Sequence, residues 1–104
     1  NYTVTISVSN GNVSVDHPTE DVNSGDTITF LSPDQETYVV FDAGQWPFTE
    51  TEPADRTITV PTGATGSGAY TVADDPETVD NYEVRLTASG AKKASGQVDI
   101  APDL

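Results

Sequence analysis

Apolar and polar residues alternate with a period of two through most of this chain, and Gly, Pro, Asn or Asp interrupts the alternation every few residues. No other feature of the sequence narrows the possible folds as much. Tyr2, Val4, Ile6 and Val8 alternate with Thr3, Thr5, Ser7 and Ser9, and Asn10-Gly11-Asn12 then turns the chain into Val13-Ser14-Val15. That pattern predicts a hairpin closed by residues that tolerate positive φ. No segment holds a 3.6-residue period for long, so the chain is expected to be all-β.

The same reading continues downstream. After a polar stretch from Asp16 to Ser24, Gly25-Asp26 opens a strand over Thr27-Ile28-Thr29-Phe30-Leu31, and Ser32-Pro33-Asp34 closes it. Thr37 to Asp42 is the next strand. Gly44, Pro47 and Pro53 make the segment from Ala43 to Asp55 a long excursion with room for a short helical turn. Arg56 to Val60 alternates again, with Ile58 and Val60 turned one way. Ala69 to Ala73 adds a short strand, Tyr82, Val84 and Leu86 alternate toward the core, and Gln97 to Ile100 is the last strand. Seven or eight short strands imply a Greek-key β-sandwich with one shared core, an immunoglobulin-like sandwich being the alternative topology. A length of 104 residues suits one domain, and no repeat or linker divides residues 1–104.

Charge excludes several partners. Seventeen acidic residues face only Arg56, Arg85, Lys92 and Lys93, for a formal net charge of −13. Nucleic acid is not expected as a partner, because phosphate affinity comes from clustered Lys and Arg. Anionic membrane surfaces repel such a chain as well, and no run approaches the roughly 20 apolar residues that span a bilayer. Acidic surfaces poor in Lys fit a salty medium, where counterions screen self-repulsion within roughly 10 Å; an acidic extracellular domain is the alternative source. Short Val/Ile strands set in Thr, Ser, Gly, Asn and Asp suggest an extracellular, cell-surface or periplasmic module. Asn1 is not an initiator residue, so a mature or excised piece is expected.

Two stretches carry a resemblance to a known family. Gly25-Asp26-Thr27-Ile28-Thr29-Phe30, followed by a loop and Thr37-Tyr38-Val39-Val40-Phe41-Asp42, resembles the plastocyanin-like cupredoxin pattern of a glycine-acid strand followed by His-Asn-Val-Val-Phe-Asp. Tyr82 to Val98 is similar to that family's Tyr-x-Phe-x-Cys-x-x-His-x-x-x-x-Met-x-Gly-x-Val, with the loop length kept. The resemblance spans roughly residues 13 to 100 and implies a cupredoxin-like sandwich. It places the copper-ligand positions on Thr37, Leu86, Ser89 and Ala94, none of which offers an imidazole or a sulfur donor. A blue-copper centre needs two His and a thiolate with a weak axial ligand, so the resemblance implies a member without copper. The default role of that pole is packing.

The remaining candidates are few. The chain has no Cys, no Met and one His, which excludes disulfides and zinc–thiolate sites, and His17 is expected to be an ordinary surface or turn residue. Asp74-Asp75-Pro76-Glu77-Thr78-Val79-Asp80 gathers carboxylates of the kind that calcium takes, although it matches no EF-hand spacing and a solvated acidic loop explains it as well. Lys92 and Lys93 form a possible surface for an acidic partner in the presumed last hairpin. Trp46 and Phe48, in a Pro-bracketed loop, form a possible surface for a protein or a sugar ring, unless they fold back to cap the sandwich. No nucleophile–base constellation, phosphate loop or metal motif appears, so no enzyme activity and no cofactor are expected. The leading expectation is a noncatalytic structural or interaction module, monomeric as an isolated domain, with an unknown protein or carbohydrate partner. The alternative is a ligand-binding sandwich for a carbohydrate or another small molecule.

Overall fold

Tyr2–Ser9 and Asn12–Val15 form the expected hairpin, β1 and β2, in a computed structural model that describes residues 1–73 and 79–100. Its turn places Asn10 at φ 53° and Gly11 at φ 78°, the positive angles that a two-residue turn between twisted strands requires. Seven further strands follow among the described residues. They are β3 (Thr19–Val22), β4 (Thr27–Leu31), β5 (Thr37–Phe41), β6 (Thr57–Val60), β7 (Ala69–Thr71), β8 (Val79–Arg85) and β9 (Lys92–Ile100). A single 3-10 turn, Ala54–Arg56, precedes β6, where the excursion left room for one.

The strands make two sheets, ordered β2-β1-β4-β7 and β3-β9-β8-β5-β6. Chain connections change sheet between β2 and β3, β3 and β4, β4 and β5, β6 and β7, and β7 and β8, giving the Greek-key sandwich the alternation implied. Inward side chains meet in one cluster that includes Ile6, Ile28, Phe30, Val39, Phe41 and Val84, all essentially buried. Each such burial contributes roughly 1.5–3 kcal/mol of hydrophobic stabilisation before the entropy of ordering is subtracted.

The strand count exceeds the seven or eight expected because the polar stretch from Asp16 to Ser24 contains β3. Of its Thr-Glu-Asp-Val only Val22 reaches the core, so the strand has no apolar alternation to announce it. It exists through its partner: β3 lies parallel to β9, with Thr19 opposite Gln97 and Val22 opposite Ile100. β2 and β3 are one extended run bent between the sheets at Asp16-His17-Pro18. The bend is fixed by Thr5 N–H donating to Asp16 Oδ1 (2.8 Å), Asp16 N–H donating to Thr5 C=O (3.1 Å) and Gln97 N–H donating to Pro18 C=O (2.8 Å).

Two expectations near the last hairpin need correction. The β8–β9 register shifts between Val84 and Arg85, pairing Val84 with Ala94 but Arg85 with Lys92, so Lys93 is the extra residue of a bulge. β8 itself keeps its alternation as far as Arg85 and ends there. Leu86, expected to turn toward the core, lies past the end of β8, half-buried and outside the core cluster. Lys92 and Lys93 stand exposed on β9 instead of in the hairpin loop.

Candidate functional site

The positions that the family resemblance assigns to copper ligands fall at one end of the five-stranded sheet. β5 opens there with Thr37, and the register of Tyr38 opposite Arg85 makes Leu86 the next position alongside it. Ser89 lies in the β8–β9 connection, exposed, and Ala94 pairs with Val84 on β9 and packs against the core. The topology therefore brings the four positions to one pole.

Its chemistry is two hydroxyls, an isobutyl group and a methyl group. Type 1 copper is held by imidazoles and a thiolate in a trigonal plane, and the chain has no Cys, no Met and one His. The donor set does not fit copper. His17 lies elsewhere, at the β2–β3 bend, with its side chain 59% exposed and its Nε2 3.6 Å from Asp16 Oδ2. Among the described residues no group of three or more His, Cys, Asp or Glu is arranged to hold a metal ion.

Thr37 is the informative residue of the pole. It is 0% exposed, and its Oγ1 is a buried atom with no hydrogen-bond partner. Ser32, just before it in the β4–β5 connection and equally buried, donates its hydroxyl to the Gln35 carbonyl. One buried hydroxyl at this end is satisfied and the other is not.

The aromatic loop turns inward. Phe48 is 5% exposed, belongs to the core and makes an isolated bridge with Val72, so it is withdrawn from the surface on which it was a binding candidate. Trp46 is half-buried and packs edge to face against Phe41, Phe48 and Tyr70 at centroid separations of 5.7, 5.2 and 5.9 Å. Its indole N–H donates to the Glu50 carbonyl at 2.8 Å. The reason is size: a sandwich this small fills its open end with the large side chains it has. Glu50 completes the arrangement by accepting the Thr71 N–H on Oε1 at 2.8 Å. Burial acts to raise the Glu50 pKa, but this bond and others from backbone and hydroxyl groups outweigh it and hold the carboxyl below its ordinary value.

Two clefts open on the outer side of the five-stranded sheet. One, of about 430 Å³, is lined by Lys92 together with Pro18, Thr19, Asn81, Glu83 and Gln97 among others. The other, of about 440 Å³, is lined by Arg56 and Arg85 with Val40, Thr57 and Ala88 among others. Neither is lined by Trp46 or Phe48. The sequence reading singled out the two lysines and passed over the two arginines. Nothing local pairs positions 56 and 85; the β6-β5-β8 order does. Of the acidic run from Asp74 to Asp80, residues 74–78 lie outside the described residues, while Val79 and Asp80 belong to β8.

No family model matches the chain, and no curated protein matches it in sequence. Solved structures do match in fold. A point variant of amicyanin in its reduced Cu(I) form at pH 4 is 15% identical, with a TM-score of 0.57 over 94% of this chain and 81% of that one. A second amicyanin variant, also Cu(I), gives 16% identity and a TM-score of 0.56 over the same shares. The multicopper oxidase McoA from the hyperthermophile Aquifex aeolicus gives 15% identity and a TM-score of 0.52, over 94% of this chain and 26% of that one. At these identities the likeness establishes the fold alone, which is cupredoxin-like.

Proposed function

We propose that this chain is a copper-free, noncatalytic cupredoxin-like module serving a structural or interaction role in an exported or cell-surface protein. The observation that carries the reading is the pole itself, where Thr37, Leu86, Ser89 and Ala94 stand at the positions the resemblance gives to copper ligands. Thr37 is sealed from solvent and Ala94 packs against the core, which supports a pole used for packing. The carboxylate excess fits an external, salty medium. Among the described residues no helix is long and apolar enough to cross a membrane.

The carbohydrate alternative at Trp46 draws no support from the geometry, since a stacking platform needs an open aromatic face beside a cleft. Trp46 has its indole N–H bonded within the loop and three aromatic neighbours around it.

Equimolar Cu(I) and Cu(II), added separately to chelator-treated protein, test the copper-free reading through the thermal midpoint. A ligand that binds only the folded state raises the midpoint by mass action, by about 2.7 kcal/mol of stability at a hundredfold excess over its Kd. The expected result is no saturable rise with either ion. A saturable rise abolished by chelator would overturn the reading. Digestion of intact source cells with added protease tests the exposed location, and protection of the domain until the cells are lysed would count against it.

A further inference from the structure

The chain's two arginines, Arg56 and Arg85, line one cleft of about 440 Å³ on the outer side of the five-stranded sheet. β5 lies between β8, which carries Arg85, and β6, which Arg56 immediately precedes: Val40 faces Thr57 on one side, and Tyr38 faces Arg85 on the other. Val40 alternates with the core residues Val39 and Phe41, yet it is only 7% exposed. It gives the cleft an apolar floor.

Arg56 is held in an unusual way. Its Nε donates to the Phe41 carbonyl at 3.0 Å, which fixes the guanidinium and leaves both terminal amino groups without a partner among the described residues. No carboxylate among the described residues pairs with it; the ion pairs there are Arg85–Glu83 and His17–Asp16. Asp55 and Arg56 also sit at φ 54° and 52°, a left-handed conformation that L side chains avoid. Strained backbone of this kind persists where its surroundings impose it, and it concentrates at binding sites. Arg85 is tied by Nε to Glu83 Oε2 (2.7 Å) and by Nη1 to the Ala88 carbonyl (3.3 Å), which leaves its Nη2 without a partner among the described residues.

We propose that the cleft between Arg56 and Arg85 binds a small carboxylate anion, held by the free terminal amino groups of Arg56 with Arg85 as a second donor. A planar guanidinium offers paired donors that match a carboxylate, and Val40 with Ala88 accommodates a short apolar stem. Phosphate is disfavoured: Asp55 lines the cleft and Glu83 holds Arg85, so two guanidinium charges face two carboxylates and no net charge remains for a dianion. The overall charge of −13 keeps the affinity modest and makes it improve as salt screens the repulsion.

The test is a two-dimensional NMR titration of the full chain with sodium propionate replacing sodium chloride at constant ionic strength, reading backbone amides and the arginine Nε–H signals. Saturable shifts confined to Arg56, Arg85, Val40 and their neighbours are expected. Arg56→Gln should weaken binding at least about tenfold, the loss of charge-assisted hydrogen bonds, while the dispersed spectrum shows the fold kept. Arg56→Lys, which keeps the charge but not the fork, should weaken it too and serves as the second variant should the glutamine protein not fold. A short alanine peptide with a free C-terminus, compared with its C-terminal amide, tells a chain-end carboxylate from a free acid as the source. Shifts that grow linearly, that chloride reproduces, or that persist in a folded Arg56 variant would overturn the site. Saturable binding of inorganic phosphate at the same residues would overturn the carboxylate assignment.

Discussion

Replacing Thr37 with Val should stabilise this protein. The two side chains are nearly isosteric, so the change exchanges a hydroxyl that is fully buried and unpartnered for a methyl group in the same space. An unpaired hydroxyl taken from water costs about 1–3 kcal/mol on mutational scales. Burying the methyl adds up to about 0.8 kcal/mol, less whatever the slightly larger group loses by crowding. A net gain of about 1–3 kcal/mol follows, and at about 4–8 °C per kcal/mol for a domain of this size the thermal midpoint should rise by at least about 4 °C. Ser32 supplies an internal control of opposite sign, because its equally buried hydroxyl is bonded to the Gln35 carbonyl. Ser32→Ala should therefore lower stability by about 0.5–1.5 kcal/mol. Urea unfolding of the three proteins, with equal m-values to show that the folded state is unchanged, gives both numbers. A Thr37→Val protein that is no more stable than the parent would mean that Oγ1 has a partner in solution, and the account of a dry, packed pole would fail.

The same reasoning applies in the middle of the sheet. Tyr82 is 2% exposed, its hydroxyl has no partner, and burial pushes its pKa far above the ordinary tyrosine value, with the charges of Glu20 and Asp16 adding to the rise. The folded state keeps this proton after the unfolded chain has released it. The contribution is therefore whole below about pH 10 and is lost as pH rises further, by up to about 1.4 kcal/mol per pH unit. Tyr82→Phe should remove that part of the alkaline slope, while Tyr38 and Tyr70, also raised, cancel between the two proteins. Urea unfolding at about pH 8 and about pH 11 measures the difference, and parallel losses in both proteins would refute it. Gly96→Ala should destabilise by about 1–3 kcal/mol or more, because a Cβ there would meet Tyr82 Oη at 2.3 Å and Cζ at 2.4 Å. The ring has little room to yield, with Phe30 and Phe41 packed at centroid separations of 5.6 and 5.3 Å. Chemical denaturation checks it, and an unchanged midpoint would show that the ring moves freely.

What the sequence revealed and what it hid divide along one line, between residues whose position follows from their neighbours in the chain and residues placed by partners far away. The alternation of Tyr2 to Ser9, the Asn10-Gly11 turn and the strand of Thr27 to Leu31 are local patterns, and the structure has each of them. β3 was invisible because a four-residue polar edge strand is held by its ladder to β9, not by its own side chains. Leu86 falls outside the core because β8 ends at Arg85, where its pairing with β9 shifts, and no feature of Tyr82 to Leu86 itself reports that end. Phe48 fits a surface patch or a cap equally by its Pro-bracketed loop, and the bridge to Val72 is what pins it inside. Arg56 and Arg85 share a cleft because β5 lies between β8 and the strand that Arg56 leads into.

The copper-free reading requires that the connection carrying Ser89 keep its shape without a metal to gather it, and the chain's own hydrogen bonds tie that connection down. Gly90 N–H donates to the Thr87 carbonyl at 3.0 Å, closing the turn on itself. Arg85 Nη1 reaches the Ala88 carbonyl at 3.3 Å, and the same guanidinium is held by Glu83 at 2.7 Å on β8. A Cβ at Gly90 would meet Thr87 Oγ1 at 2.4 Å, which exposed Thr87 relieves by turning its side chain. The turn is thus anchored to the sheet through a side chain of the strand that leads into it. An arginine that positions a loop through a backbone carbonyl does the mechanical work that a shared metal ion does by joining loops. This ties the pole to the cleft on the outer face. The guanidinium that bonds the Ala88 carbonyl at the pole belongs to a residue that also lines the cleft, so one side chain serves both.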